Sequence, residues 1–278
     1  MLRTTRLARV LAELGIPKLW REDPERAWFF TRLAVRPVIR AICPSYAYGV
    51  DRVPVTGGAV LAANHFGTVD PALIGINSPR TIYYMAKVEL VSMPVVGELL
   101  RFVGTFAVRR GESDRDSIRV ARWLVREGHV VGMFMEGTRQ QLGYPGPAHP
   151  GAVMIAVQEG VPVVPVGIDT FRWSLRNRRP CALVWGDPIS LEGLPRTGKG
   201  YKEGAALLEE EITRLWRLAA GAVAADFPER LPDGSVRSKS IPPWKANPVR
   251  GARPWPDELW AKEPLGPLYK GPGSYPPS

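Results

Sequence analysis

The sequence predicts an α/β fold in which a mixed, partly parallel sheet is flanked by helices. Between residues 58 and 190, short apolar, β-branched runs alternate with stretches of helical periodicity, the pattern of strands joined through helices. At 278 residues the chain is long enough for one body of roughly 200 residues plus appendages. Its 45% hydrophobic and 23% charged residues are the balance of an ordinary globular chain, which excludes wholesale disorder and a many-span membrane protein.

Residues 1–45 read as a pair of amphipathic helices. Leu2, Leu7, Val10, Leu11 and Leu14 recur at helical spacing, and Trp28, Phe29, Leu33, Val38 and Ile42 repeat the pattern after Pro24. Nine Lys or Arg against four Asp or Glu give this stretch an excess of five positive charges. Such a pair either lies in a lipid headgroup layer, apolar face toward the acyl chains, or packs on the core.

Strand candidates follow at Ala59–Ala63, Ile82–Met85, Phe106–Val108, Val130–Phe134, Val163–Ile168 and Ala182–Trp185. Helical candidates lie near 70–77, 94–103, 114–127 and 151–159. One more amphipathic helix is expected over 200–225, with Ala206, Leu207, Ile212, Leu215, Trp216 and Ala219 among its apolar residues. Residues 46–225 are therefore expected to form the main domain. The tail, 226–278, holds 12 of the 28 prolines, a density that sustains neither helix nor central strand. Its Trp244, Trp255 and Trp260 are expected to dock on the body or on lipid.

The formal net charge of +10 favours an anionic partner: phospholipid headgroups, a phosphorylated metabolite, coenzyme A or nucleic acid. No nucleic-acid motif accompanies it and the aromatic residues are not interleaved with one basic stripe, so nucleic acid is not expected. Cys43 and Cys181 are the only cysteines, too few for a disulfide framework and not spaced for zinc. No run approaches the roughly 18 apolar residues that span a bilayer. Glu13, Lys18, Arg21, Glu22 and Asp23 interrupt any secretory-type apolar core. The expected location is the cytoplasmic face of a membrane, peripheral or monotopic.

Chemistry concentrates in the run Ala63-Asn64-His65-Phe66-Gly67-Thr68-Val69-Asp70, after one predicted strand and opening a predicted helix. That is where α/β sheets carry functional groups. Of three histidines, His65, His129 and His149, the first alone has a carboxylate within five residues on its C-terminal side. Imidazole titrates near neutral pH and suits a general base, and a turn across Gly67 brings the Asp70 carboxylate to its second nitrogen. No second cluster of His, Cys or acidic residues supplies metal ligands, so neither metal nor cofactor is expected. After the strand Val130–Phe134, Glu136-Gly137-Thr138-Arg139 reads either as a plain turn or as a phosphate site, Gly137 allowing close approach and Thr138 and Arg139 donating. Arg109 and Arg110 form a second cationic point or a solvated loop. Arg172, Arg176, Arg178 and Arg179 form a patch that either touches headgroups or is simply solvated.

In order and type these pieces resemble the motifs of the glycerophospholipid acyltransferase family, above all the 1-acylglycerol-3-phosphate acyltransferases. Asn64-His65 and Asp70 match NHxxxxD. The run Gly104-Thr105-Phe106-Ala107-Val108-Arg109-Arg110 is similar to GxxFIxR, Phe134-Met135-Glu136-Gly137-Thr138-Arg139 to FPEGTR, and Val161-Pro162-Val163-Val164-Pro165-Val166 to VPxxPV. Lys87-Val88-Glu89-Leu90 is similar to a KxEL run common in the family. The match covers roughly residues 45–190, and four ordered motifs are far more specific together than singly.

The resemblance implies that His65 and Asp70 are the catalytic pair. It also implies that Asn64, Arg110, Glu136, Gly137, Thr138 and Arg139 bind or position the acceptor, and that Val161–Val166 is a strand shaping the acyl pocket. The implied reaction moves a fatty acyl group from acyl-coenzyme A or acyl carrier protein to the free hydroxyl of lysophosphatidate at a membrane surface, giving phosphatidic acid. Another glycerol-based, lysophospholipid or glycolipid acceptor, or a non-catalytic lipid-binding protein of this fold, are the alternatives. Gly67, Ala107 and Met135 depart from the family, which has serine, a bulky residue and proline there.

Overall fold

The computed structural model describes residues 24–87, 106–108 and 115–238. The first N-terminal helix, the helix expected near 94–103, Arg109, Arg110, the KxEL-like run beyond Lys87 and the tail from 239 onward lie outside the described residues. The strands are β1 (Ser45–Tyr48), β2 (Ala59–Ala63), β3 (Ile82–Lys87), β4 (Phe106–Val108), β5 (Val130–Phe134), β6 (Val163–Asp169) and β7 (Cys181–Trp185). The helices are α1 (Pro24–Ile42), α2 (Asp70–Asn77), α3 (Arg115–Arg126), α4 (Gly151–Glu159) and α5 (Gly198–Ala224). All six expected strands and the described helical candidates are present, within a few residues of their expected ends.

One seven-stranded sheet runs in the order β1-β7-β6-β2-β5-β3-β4. Every pair is parallel except β6 with β7. The exception has a simple cause: residues 170–180 between β6 and β7 contain no helix, and so short a link returns the chain antiparallel rather than crossing over.

All five residues of β2 and of β7, and six of the seven in β6, are buried, which is why these strands read as continuous apolar runs rather than alternating ones. Alternation survives as a division between two cores. Val60, Ala62 and Val131 meet Leu124 of α3, Val153 and Ala156 of α4, and Leu208 and Ile212 of α5. Leu61, Ala63, Val166 and Ile168 meet Leu73 and Ile74 of α2 on the other face, with Ile39 and Ile42 of α1 against them. Helix α5 lies so close to β6 that a Cβ at Gly167 would overlap the backbone of Leu215 and Trp216. The segment 226–238 covers the β1 edge: Phe227 and Leu231 pack with Tyr48 and α5. The Ser238 amide donates to the Ala47 carbonyl at 2.7 Å.

The sequence reading omitted β1. It has four residues, directly after Pro44, and only its last two are buried.

Candidate active site

Parallel strands β5, β2 and β6 are neighbours, so the residues just past their carboxyl ends converge on one rim: Asn64 and His65 after β2, Met135 to Gln140 after β5, Thr170 after β6. The Asp70 carboxylate, 0% exposed, opens α2. A helix N-terminus is a favourable position for negative charge.

His65 Nδ1 lies 2.8 Å from Asp70 Oδ2. The same oxygen accepts from the Phe66 amide at 2.7 Å and the Gly67 amide at 2.8 Å. Oδ1 accepts from the Thr170 hydroxyl at 2.6 Å. With two backbone donors and a hydroxyl aimed at it, the Asp70 carboxyl acts as the acceptor in these bonds, which makes Nδ1 of His65 the donor of their shared bond and Nε2 the ring nitrogen left for the acceptor. The ring is fixed from the side as well, stacked on Phe134 with centroids 3.9 Å apart. The arrangement is an imidazole oriented by a buried carboxyl at Nδ1, with Nε2 making no hydrogen bond among the described residues: the geometry a general base needs.

Two other sequence-selected residues hold this geometry from behind. Asn64, fully buried, donates from Nδ2 to the Ile168 carbonyl at 2.9 Å and accepts at Oδ1 from the Ile168 amide at 2.8 Å. Its side chain thus extends the β2–β6 ladder by one rung beside His65. Glu136, 3% exposed, accepts at Oε1 from the His65 and Gly146 amides, both at 3.4 Å, while Oε2 is buried without a partner. Burial pushes the Glu136 carboxyl up to about 7; its own amide and those of Gly146 and His65 oppose the shift, and the negative charge of Asp70 adds to it.

Of the two roles expected for Asn64 and Glu136, binding or positioning the acceptor, these contacts favour positioning. Both ends of the Asn64 amide are taken up by backbone, and the Glu136 carboxyl is turned into the protein. A carboxylate is also a poor neighbour for a phosphate.

A family model described as Acyltransferase matches residues 46–169. The 1-acyl-sn-glycerol-3-phosphate acyltransferase of Bacillus subtilis is 36% identical over 145 residues, which are 51% of this chain and 72% of that protein. The chain belongs to the glycerophospholipid acyltransferase family. It is accordingly an O-acyltransferase of that type. The crystal structure of the 1-acyl-sn-glycerophosphate acyltransferase from Thermotoga maritima shares the fold, with a TM-score of 0.52 and 21% identity over 75% of this chain and 95% of that one. The lyso-ornithine lipid O-acyltransferase of Rhodobacter capsulatus is 29% identical over 109 residues, covering 38% of this chain and 39% of that protein.

Among the acyltransferase motifs, the third forms the turn after β5. Gly137 stands at φ +65°, in the left-handed region, with its amide donating to the Phe134 carbonyl at 3.1 Å and His149 3.4 Å from where a Cβ would sit. Thr138 and Arg139 are exposed beyond it, and the next residue, Gln140, donates its amide to the His65 carbonyl at 2.8 Å. Arg139 is therefore the immediate neighbour of a residue that bonds the His65 backbone directly. Met135, where the family has proline, donates its amide to the Ala63 carbonyl at 2.9 Å, a bond that proline lacks. Gly67, where the family often has serine, has room for a side chain: a Cβ would meet Asp70 Oδ1 at 3.6 Å.

Thr170 is the site residue that sequence reasoning missed. It stands 100 positions from Asp70 and only the β2–β6 pairing brings them together. The signal was nevertheless present, because Thr170 follows directly on the strand of the fourth motif.

Proposed function

We propose that the chain transfers a fatty acyl group from acyl-coenzyme A or acyl carrier protein to the free hydroxyl of 1-acylglycerol 3-phosphate, giving phosphatidic acid. The observation that carries the reading is His65, held by Asp70 at Nδ1 with Nε2 free. Residues 46–225 are the acyltransferase domain in this reading. Residues 1–45 associate with the membrane surface, in keeping with Phe30, Leu33 and Val38 exposed along α1.

His65 Nε2 takes the proton from the acceptor hydroxyl as its oxygen bonds to the thioester carbonyl carbon. Asp70 stabilises the imidazolium that results. Collapse of the tetrahedral intermediate breaks the carbon–sulfur bond, and the leaving thiolate takes the proton back from His65 and departs as thiol. No cysteine or serine adjoins His65 in the sequence, so the acyl group passes directly to the acceptor rather than through an acyl-enzyme. Arg139 and Thr138, with Arg110 from outside the described residues, hold the acceptor phosphate; Gly137 shapes the turn that presents them. Asn64 and Glu136 position His65. General-base help is worth ~10²–10⁴-fold and positioning must supply much of the rest.

The test is transfer of labelled palmitate from its coenzyme A thioester to lysophosphatidate in anionic vesicles. Product from the wild type, with His65→Ala slower by at least ~10²-fold, is expected. Wild-type inactivity toward every lysophospholipid, glycerol phosphate and thioester carrier would leave a non-catalytic lipid-binding protein of this fold. A second acceptor class, a lysolipid without phosphate, is favoured by the relative named a lyso-ornithine lipid O-acyltransferase. Activity of Arg139→Ala separates the two, since loss confined to phosphate-bearing acceptors marks a phosphate site.

A further inference from the structure

Two loops border the His65 rim, and together they have the composition of a bilayer-docking surface. The first, after β5, runs through residues 139–147. The second is the 170–180 connection. They meet where Phe171 comes 2.9 Å from the position a Gly143 Cβ would take. Both are attached to the active site. Gln140 bonds His65, Thr170 bonds Asp70, and the Phe171 ring lies edge-on to Phe66 at 5.7 Å.

Leu142 is 73% exposed, Leu175 64%, Tyr144 53% and Phe171 43%, an unusual density of large apolar side chains in water. Interleaved with them are five exposed arginines, Arg139, Arg172, Arg176, Arg178 and Arg179, and neither loop contains an aspartate or glutamate. The nearest acid on these elements is Asp169, partly buried at the end of β6.

The second loop is a rigid mount. Asn177 Oδ1 accepts from the Ser174 amide at 2.9 Å and the Arg179 amide at 3.2 Å, and its Nδ2 donates to the Arg172 carbonyl at 2.8 Å. Trp173 Nε1 donates to the Ile42 carbonyl at 3.0 Å, tying the loop to the end of α1. A loop fixed by its own side chains, with Leu175 left outside, has spent its ordering entropy before meeting a partner.

We propose that the loops 139–147 and 170–180 form a docking surface for an anionic phospholipid bilayer, Leu142 and Leu175 entering the acyl boundary while Arg172, Arg176, Arg178 and Arg179 pair with headgroup phosphates. This deepens the reading of a bilayer-borne acceptor and rests on it: the surface sets the mouth of the His65 site against the layer where a lysolipid resides. Charge alone would also suit an acidic carrier protein. The four exposed apolar side chains among the arginines favour lipid, which offers hydrocarbon directly behind the anionic layer.

The test uses the full chain with an environment-sensitive fluorophore on Leu175→Cys, and on Val55→Cys, 55% exposed in the link leading to the opposite end of β2, as control. Cys43 and Cys181 are buried and give little background labelling. Vesicles of phosphatidylcholine with one third phosphatidylglycerol should shift the Leu175 probe to the blue and expose it to quenching by brominated lipid, leaving the Val55 probe in water. Arg176→Glu with Arg179→Glu should weaken vesicle partitioning by at least ~10-fold, at roughly five-fold for each charge removed. The same variant should keep wild-type transfer to a short-chain acceptor dissolved as monomers, so failure of the surface is told apart from failure of the chemistry. A Leu175 probe that remains in water while the protein sediments with vesicles overturns the proposal. So does a charge-reversed variant that binds vesicles normally but loses an acidic carrier protein.

Discussion

The Thr170 hydroxyl donates to Oδ1 of Asp70 at 2.6 Å, joining the end of β6 to the first residue of α2 across 100 positions of sequence. Because Oδ2 is already occupied by His65 and two amides, this bond sets the last rotational freedom of the carboxylate. Thr170→Val keeps the shape and removes the donor. A hydrogen bond to a charged group contributes about 1.5–3 kcal/mol, so kcat should fall by roughly ten-fold or more with KM little changed. Thr170→Ser, which restores the hydroxyl, should recover most of the rate. Steady-state kinetics on the three proteins decides it, and equal losses for Val and Ser would mean that packing rather than the hydroxyl matters.

Asp70→Asn tests the charge. The Phe66 and Gly67 amides hold the Asn oxygen where Oδ2 now stands and the Thr170 hydroxyl can turn to accept from its NH2, so His65 Nδ1 keeps an acceptor but the imidazolium formed in transfer loses its counter-charge. The expected fall in kcat is ~10²–10⁴-fold with the fold intact by circular dichroism. A variant retaining a tenth of wild-type activity would remove Asp70 from the mechanism.

Asn64 should behave as a structural residue. Asn64→Ala leaves the buried Ile168 amide and carbonyl without their side-chain partners, at about 1–3 kcal/mol for each. Denaturant titration should show a loss of roughly 2–6 kcal/mol. Where the variant is folded, KM for the acceptor should be near that of wild type, whereas a direct acceptor contact would raise KM.

Much of this was legible in the sequence. The motif residues stand at strand ends because alternating strand and helix patterns fix where strands stop, and β2, β5 and β6 are long enough to read. Two things escaped it. The edge strand β1 is too short and half-exposed to announce itself, and only pairing with β7 defines it. The inward roles of Asn64 and Glu136 depend on Ile168 and Gly146, and residue type cannot tell a buried amide from one facing substrate.

Two buried titrating groups should act on stability in opposite senses. Glu136 is raised to about 7 by burial, so between pH 4.5 and 7 the folded state binds the extra proton and stability falls as pH rises. His129, held down to about 4 by burial and by nearby Arg80, is deprotonated when folded and protonated when unfolded between pH 4 and 6.5, so stability rises with pH there. Glu136→Gln should steepen the rise of melting temperature from pH 5 to 7, and His129→Asn should flatten or reverse it. Unchanged slopes in both variants would mean that neither group titrates differently on folding.

Gly167 joins stability to the active site. A Cβ there would overlap the Leu215 carbonyl carbon and the Trp216 amide, backbone atoms of a 27-residue helix that cannot rotate aside as a side chain could. Gly167→Ala must therefore push α5 off β6, an overpacking cost of at least about 1–3 kcal/mol. The displacement would carry Trp216 away from Phe66, whose rings now meet edge to face at 6.5 Å, and so disturb the residue beside His65. Gly221→Ala is the comparison within the same helix: nothing lies within 4 Å of its Cβ position and its φ is ordinary, so relief of glycine's helix penalty should add about 0.5–1 kcal/mol. Thermal melts should move in opposite directions for the two alanines, with acyl transfer reduced only in Gly167→Ala. An active, stable Gly167→Ala would mean that α5 is free to shift without disturbing the His65 rim.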